Sequence, residues 1–248
     1  MGRPMDYDAY APTYARARWA VPWLVSSLAA EVERVPTRSL VLEIGCGTGN
    51  YVEALGERLP DRRYVAFDRS QGMLREATRR DGRGGYFRGD ADRGFPVRSR
   101  SVALAFAVDV LHHLTDYAAF FGEVGRVLQA SGAFVAVTDS EWNLRRRSLT
   151  RYFPEVLAVE LERYPTLDEL DRRALAAGLG PAGRALAEGH LELDDGFLGK
   201  LEARCSSAMR LIPEEAHRRG MERVREARQR GERWLSSYSV LRFVGKPA

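Results

Sequence analysis

The chain has 248 residues, 45% of them hydrophobic, which suits one globular domain with a full core, with or without an inserted cap. Its formal charge of +4 is small for that length and comes almost wholly from arginine, Lys200 and Lys246 being the only lysines, so composition argues against a dedicated polyelectrolyte binder. No run of about 18 apolar residues occurs, and Met1 to Asp6 lack the apolar stretch of a secretory signal, so the expected compartment is the cytoplasm.

Residues 6–35 hold the aromatic-rich stretch Tyr7-Asp8-Ala9-Tyr10-Ala11-Pro12-Thr13-Tyr14-Ala15-Arg16-Ala17-Arg18 and then an apolar-periodic segment from Trp19 to Val32, together a helical arm. Val41-Leu42-Glu43-Ile44 follows, then Gly45-Cys46-Gly47-Thr48-Gly49-Asn50. This reads as a buried strand over 39–45, a tight turn, and a helix over 49–59. Glycine is needed where φ is positive or where backbone must lie against a ligand. The helix start adds free N–H groups and a positive dipole end. Strand two, about 63–68, ends in Asp68, where a carboxylate accepts from a ribose diol. Helix two runs from the candidate cap Ser70 to Arg80, with Met73 and Leu74 inward. The loop Asp81 to Gly85 leads to strand three, Tyr86-Phe87-Arg88, which ends in Gly89-Asp90-Ala91-Asp92.

The continuous apolar run Val102 to Val108 suits a parallel strand covered on both faces. Asp109-Val110-Leu111-His112-His113-Leu114 follows it. Helix four covers about 116–129, and strand five runs from Ala133 to Thr138. Asp139 to Asn143 again lies at a carboxyl strand end, where ligands of open α/β sheets bind. The pattern then predicts a helix over 144–163 and a helix capped by Thr166 with Glu169 at its third position, which stops at Gly178-Leu179-Gly180-Pro181. Strand six is expected over 184–193, a helical insertion over 195–231 and strand seven from Ser237 to Val244. The whole chain, 1–248, reads as one domain with an arm (1–35), a ligand-binding core (36–140) and cap helices (141–180 and 195–231). Cys46 and Cys205 form no metal pattern, and no disulfide is expected.

The spacing of the glycine turn selects among ligands. A dinucleotide site requires G-x-G-x-x-G, and Asn50 stands where the third glycine would fall. Glu43-x-Gly45-x-Gly47-x-Gly49, with Asp68 closing the next strand, instead resembles the first motif of the class I S-adenosylmethionine-dependent methyltransferases, of the small-molecule, type 11 or ubiquinone-biosynthesis-like kind. Tyr7, Asp8, Ala11, Tyr14 and Arg18 resemble the family's arm, and Leu111-His112-His113 its segment after strand four. The resemblance covers residues 6–140 well and the C-terminal third by pattern. It implies an α/β, Rossmann-like sheet of seven strands in the order 3-2-1-4-5-7-6, strand seven antiparallel, flanked by helices and roofed by a helical cap. It also implies S-adenosyl-L-methionine as cofactor and a small-molecule methyl acceptor from bacterial biosynthesis. The expected assembly is a monomer or homodimer, with neither membrane nor nucleic acid as partner.

By the same resemblance the cofactor is expected to meet Tyr14, Arg18, Glu43, Gly45, Cys46, Gly47, Gly49, Asn50, Asp68, Arg69, Met73, Asp90, Ala91, Ala107 and Val108. Tyr14 and Arg18 would reach its carboxylate. Met73 either packs on the adenine or belongs to the core, and Asp90 either takes the adenine amino group or, like Asp92, caps a turn. Tyr7, Tyr10, Asp139, Trp142, Arg204 and Arg210 are expected at the acceptor.

Methyl transfer from a sulfonium is an in-line displacement that depends on positioning and exclusion of water. A base matters only if the acceptor must lose a proton, and His112 and His113 are the candidates. Either one alternatively packs under the cofactor or satisfies a backbone carbonyl. Asp109 orients one of them or caps the following helix. No N-P-P-Y tetrapeptide follows strand four, and no magnesium or zinc ligand set is evident. Two alternatives stay open. An RNA-modifying methyltransferase would need Arg145-Arg146-Arg147 and the arginines of 218–233 to converge beside the pocket, although Glu222, Glu226 and Glu232 make the second set read as a solvated helix. A nicotinamide-dependent oxidoreductase is the other, and Asn50 speaks against it.

Overall fold

A computed structural model describes residues 6–80 and 84–245. Asp81, Gly82 and Arg83 of the predicted loop, Met1 to Met5 and Lys246 lie outside the described residues. Seven strands, β1 (Leu40–Ile44), β2 (Arg63–Asp68), β3 (Gly85–Arg88), β4 (Val102–Val108), β5 (Leu128–Thr138), β6 (Leu179–Leu191) and β7 (Trp234–Gly245), form one sheet in the order β3-β2-β1-β4-β5-β7-β6. β1 to β5 are parallel, whereas β7 runs antiparallel to β5 and to β6, as expected for strand seven. The middle strands are buried along nearly their whole length, which explains why Val102 to Val108 shows no polar alternation.

Alternate strand residues feed two cores. On one face Val41, Leu104, Phe106 and Val135 pack against the helices α2 (Pro22–Glu33) and α3 (Asn50–Arg58) through Leu28, Val32 and Leu55. On the other, Leu42, Ile44, Ala105 and Phe134 meet α5 (Tyr117–Val127) and α9 (Leu167–Ala176) through Phe120, Phe121, Val124 and Leu170. The strands follow a period of two and the helices one of 3.6, so both layers read directly from sequence. The two predicted caps, Ser70 and Thr166, form, and Asp116 adds a third. Ser70 Oγ accepts from Met73 N at the start of α4 (Gln71–Arg80), Asp116 from Ala119 N, and Thr166 from Glu169 N.

The C-terminal third departs from expectation in two places. The predicted helix over 144–163 is three short helices, α6 (Glu141–Arg146), α7 (Ser148–Tyr152) and α8 (Glu155–Leu161), broken where Arg147 is extended and where Pro154 follows Phe153. β6 begins at Leu179, five residues before the predicted start at 184, because the turn residues Gly180 and Pro181 are themselves paired with β7. Proline is tolerated there because β6 is the edge strand and a bulge separates Pro181 from Gly183. The insertion contains α10 (Asp195–Glu202), a short turn at Ala208–Arg210 and α11 (Glu214–Gln229). With α7 and α8 it builds a third core around Phe153, Leu201, Met209, Val224 and Trp234. This core is the cap, and it stands beside the carboxyl ends of the strands.

Candidate active site

Gly45, Gly47 and Gly49 all take positive φ, at 68°, 53° and 76°. The turn is braced from β2: Asp68 Oδ2 accepts from Gly47 N at 2.9 Å and Oδ1 from Ser70 N at 2.9 Å. Burial raises the pKa of Asp68 against the pull of these N–H donors. The three glycines do different work. A Cβ on Gly45 would lie 2.6 Å from Val110 Cγ2 and one on Gly49 2.7 Å from Tyr86 Oη, so these two admit close packing. A Cβ on Gly47 would meet only Tyr14 Cε1, at 3.6 Å, and would project into open space.

That space is a cleft of about 710 Å³ lined by Gly45, Gly47, Asp68, Arg69, Met73, Asp90, Ala91 and Val108, together with Tyr7, Tyr14, Asp109 and His113. Six residues expected in it are elsewhere, Arg18 in the second cavity and the other five around the turn and the sheet. Cys46, Gly49 and Asn50 form the back of the turn, Ala107 points into the sheet core, and Glu43 is buried behind the turn. The Glu43 carboxyl accepts from Val52 N and so braces α3, and burial pushes its pKa well above the usual range. Asp90 combines both readings, lining the cleft while its Oδ1 accepts from Asp92 N at 3.1 Å.

A second cavity, about 1040 Å³, adjoins the first through the four residues they share, Tyr7, Tyr14, Asp109 and His113. Its apolar wall comes from the arm and cap through Trp19, Leu149, Phe197, Leu201, Met209 and Trp234. The arm helix α1 (Tyr7–Ala17) crosses this junction. Asp8 Oδ1 accepts from Gly72 N at 2.5 Å and Ser70 Oγ at 2.9 Å, and Arg18 reaches Asp109 Oδ2 at 3.0 Å. Arg18 is therefore held by a carboxylate and lines the second cavity rather than the cleft. Asp109 holds a φ of 56°, uncommon for a non-glycine residue, and its Oδ1 is buried without a partner.

His113 sits at the junction and His112 beside it on the wall of the second cavity, with ring centroids 4.0 Å apart. His113 Nε2 lies 3.1 Å from Tyr7 Oη and its Nδ1 3.4 Å from Arg163 Nη2. A guanidinium donates only, so Nδ1 is the acceptor and the neutral ring carries its proton on Nε2, donated to Tyr7. Burial and the charges of Arg163 and Arg69 lower the His113 pKa to about 4. His112 stacks on Tyr164 at 4.2 Å, has a buried unpartnered Nδ1, and is held well below the ordinary histidine value by burial, His113 and nearby arginines.

Of the residues expected at the acceptor, Tyr7 and Tyr10 line the second cavity. Asp139 is buried behind it, bonded to Arg147 Nη1 at 2.5 Å, and its pKa is raised to about 7 chiefly by burial. Trp142 is 52% exposed with Arg146 stacked 3.9 Å over its ring, outside both cavities. Arg204 and Arg210 are also outside. Arg204 folds the cap loop by donating to the carbonyls of Met209 and Ile212, and Arg210 lies 3.4 Å over the Tyr10 ring. Sequence reasoning missed Arg147, Glu160 and Tyr164, which line the cavity, and Arg163 behind His113. In the sequence Arg147 stands as one of three consecutive arginines of a candidate basic patch. The extended residue between α6 and α7 turns it inward, where it pairs with Asp139 and Glu160.

The cleft has the parts to hold an adenosyl amino acid. Gly47 leaves room for a ligand against the turn, Asp68 closes β2, and the orphan Asp109 Oδ1 calls for a buried donor. Fold and cleft thus define an α/β domain with an open cleft at the carboxyl ends of its parallel strands. Residues 42–136 match the family described as Methyltransferase domain, and the sheet order is the one expected for the class I methyltransferases that the glycine motif resembles. The chain is 29% identical over 181 residues to a malonyl-[acyl-carrier protein] O-methyltransferase of Geobacter sulfurreducens, across 69% of this chain and 64% of that protein. It is 31% identical over 130 residues to a trans-aconitate 2-methyltransferase of Azoarcus, across 52% of this chain and 51% of that one. The chain spans less than two thirds of the length of these curated relatives. A crystal structure from Anabaena variabilis, described as a methyltransferase of an antibiotic biosynthesis pathway, shares the fold with a TM-score of 0.70 at 20% identity, over 92% of this chain and 98% of that one.

Proposed function

We propose that this protein binds S-adenosyl-L-methionine in the cleft of the glycine turn and transfers its methyl group to a small molecule held in the cap cavity. One observation carries the reading: the two cavities meet at Tyr7, Tyr14, Asp109 and His113, so a group entering from one side faces a group held on the other. The cofactor supplies an activated methyl on a sulfonium. Asp68 would take its ribose, Met73 and Ala91 its adenine, and Asp109 Oδ1 its ammonium. The chain's remaining task is to bring the acceptor up in line and keep water out. The protein fits a small acceptor better than RNA, because the suspected basic patches are spent on ion pairs. Arg145 pairs with Glu141, Arg146 with Glu188, Arg218 with Glu215 and Glu222, Arg225 with Glu202, and Arg228 with Asp195.

The test is the binding of S-adenosylhomocysteine to Asp68→Ala. That change removes both braces of the turn along with the ribose acceptor, and should raise Kd about 10- to 100-fold, or about 1.4–2.8 kcal/mol. Unchanged affinity with the fold intact would remove Asp68 from the site.

A further inference from the structure

We infer that the protein holds a second ligand site, at the amino ends of β1, β2 and β4, built for a nucleoside di- or triphosphate. Arg38, Arg63 and Arg98 take the phosphates, and Leu40, Val65 and Phe87 take the base. The glycine cleft lies at the opposite ends of the same strands, so the two sites can be filled together.

The sheet topology leaves the space. The connection from β3 to β4, residues 89–101, forms no helix, so a loop alone covers one face of that corner of the sheet. A depression of about 1160 Å³ opens there, lined by the half-buried Leu40, Val65 and Phe87 and by the exposed Arg38, Arg63 and Arg98. Leu40 and Arg63 are paired at the first positions of β1 and β2, which sets a cationic residue beside the apolar floor.

The loops that carry these arginines are held by other arginines. Arg62 pairs with Asp61 at 2.7 Å and donates to Val35 O at 3.0 Å, which ties down the turn before β1. Arg126 pairs with Glu123 at 2.6 Å and donates to Val97 O and Phe95 O, each at 2.9 Å, which fixes the segment that carries Arg98. Asp61 and Glu123 are thereby occupied, and among the described residues no carboxylate pairs with Arg38, Arg63 or Arg98. Arg38 also holds a φ of 63°, and Arg100, between the lining residues Arg98 and Ser101, one of 52°. Left-handed backbone costs energy in a non-glycine residue, and such positions gather at ligand sites.

Three unpaired guanidiniums around one depression repel one another, and a polyanion relieves that repulsion. A guanidinium binds phosphate through a bidentate fork, so three of them match a di- or triphosphate chain better than a single small anion. The half-buried floor, Phe87 included, offers an apolar face for the base. A long nucleic acid fits less well. Arginines elsewhere on the surface, such as Arg79, Arg145, Arg218 and Arg228, sit on carboxylates and do not extend the patch into a basic track.

The test is calorimetric titration of the full chain with ATP, tripolyphosphate and adenosine, run with and without S-adenosylhomocysteine. ATP should bind one-to-one in both conditions, with Kd below about 100 μM at low salt and weaker binding as salt rises. Tripolyphosphate should bind about fivefold or more weakly than ATP, and adenosine alone should not bind at this site. Arg63→Gln and Arg98→Gln should each weaken ATP binding about tenfold, whereas Arg172→Gln, at an exposed position on α9, should leave it unchanged. Absence of ATP binding overturns the proposal, as does an equal loss in all three variants, which would mean diffuse attraction to a basic surface. Displacement of ATP by S-adenosylhomocysteine would put ATP in the glycine cleft and overturn it too. Tripolyphosphate binding as tightly as ATP overturns the role of the apolar floor. Transfer RNA bound through Arg63 and Arg98 more tightly than ATP would make the patch a nucleic-acid surface instead.

Discussion

At the scale of single residues, the glycine turn divides into one position that faces the open cleft and two that serve packing. Gly47→Ala introduces a methyl group with no atom closer than 3.6 Å, so it should fold and weaken S-adenosylhomocysteine binding at least tenfold by filling the cleft. Gly49→Ala drives a methyl group to 2.7 Å from Tyr86 Oη and 3.1 Å from Ala77 Cβ, so its main effect should be a loss of stability of about 1–3 kcal/mol. Thermal melts and calorimetry on both variants separate the two roles. Equal loss of affinity with no loss of stability in Gly49→Ala would contradict the division.

The histidine pair makes a pH prediction of definite sign. His113 titrates at about 4 in the fold against an ordinary 6.5, so below pH 6.5 the unfolded chain binds the proton and the folded chain does not. Stability therefore falls as pH falls, by about 2 kcal/mol from this residue between pH 7.5 and pH 5. Asp139 works oppositely, since its raised pKa makes the folded state take up a proton as pH falls from about 7. The comparison with His113→Gln isolates the histidine. The variant should lose about 2 kcal/mol less than the parent between those two pH values. An identical loss in both would show that His113 is protonated in the fold.

At the scale of elements, the arm α1 is tied over the cleft through Asp8 at the start of α4, Tyr7 at His113 and Arg18 at Asp109. A carboxylate at a helix N-terminus answers its free N–H groups and dipole. Asp8→Ala should loosen this tie and raise both the association and dissociation rates of S-adenosylhomocysteine, measured by stopped flow. Unchanged rates would mean that α1 does not gate the cleft. The cap depends on a different fit. A Cβ on Gly220 of α11 would fall 2.0 Å from Phe153 Cδ1, so Gly220→Ala should destabilise the protein despite alanine's better helix propensity.

The same scale shows what was legible beforehand. Strands β1, β2 and β4 carry buried apolar runs, and α4, α5 and α9 carry side-chain caps, so their places follow from local chemistry. The break at Arg147 had no local signal, because its cause is a pair of carboxylates, Asp139 and Glu160, brought in from eight and thirteen residues away. β6 was misplaced because its glycines and proline look like a turn, and only the partner strand β7 makes them a strand. The position of the cleft was legible because a glycine turn and strand-end carboxylates at fixed spacing mark the carboxyl ends of β1 and β2, where it opens. Trp142, Arg204 and Arg210 do not line either cavity, and nothing local in the sequence reveals whether a side chain at the rim turns in or out.

At the scale of the whole molecule, the sheet supplies a fixed floor, the arm one wall and the cap the other. The second cavity draws on all three, from Tyr7 in α1 through Asp109 and His112 after β4 to Phe197 in α10 and Trp234 in β7. None of the helices is long and apolar enough to cross a membrane among the described residues. The central claim is that the cleft takes an adenosyl amino acid rather than a dinucleotide, and calorimetric titration with S-adenosylhomocysteine, with NADH as the control, tests it most directly. Micromolar binding of S-adenosylhomocysteine and none of NADH is the result predicted. Binding of NADH alone would contradict the reading at its first motif.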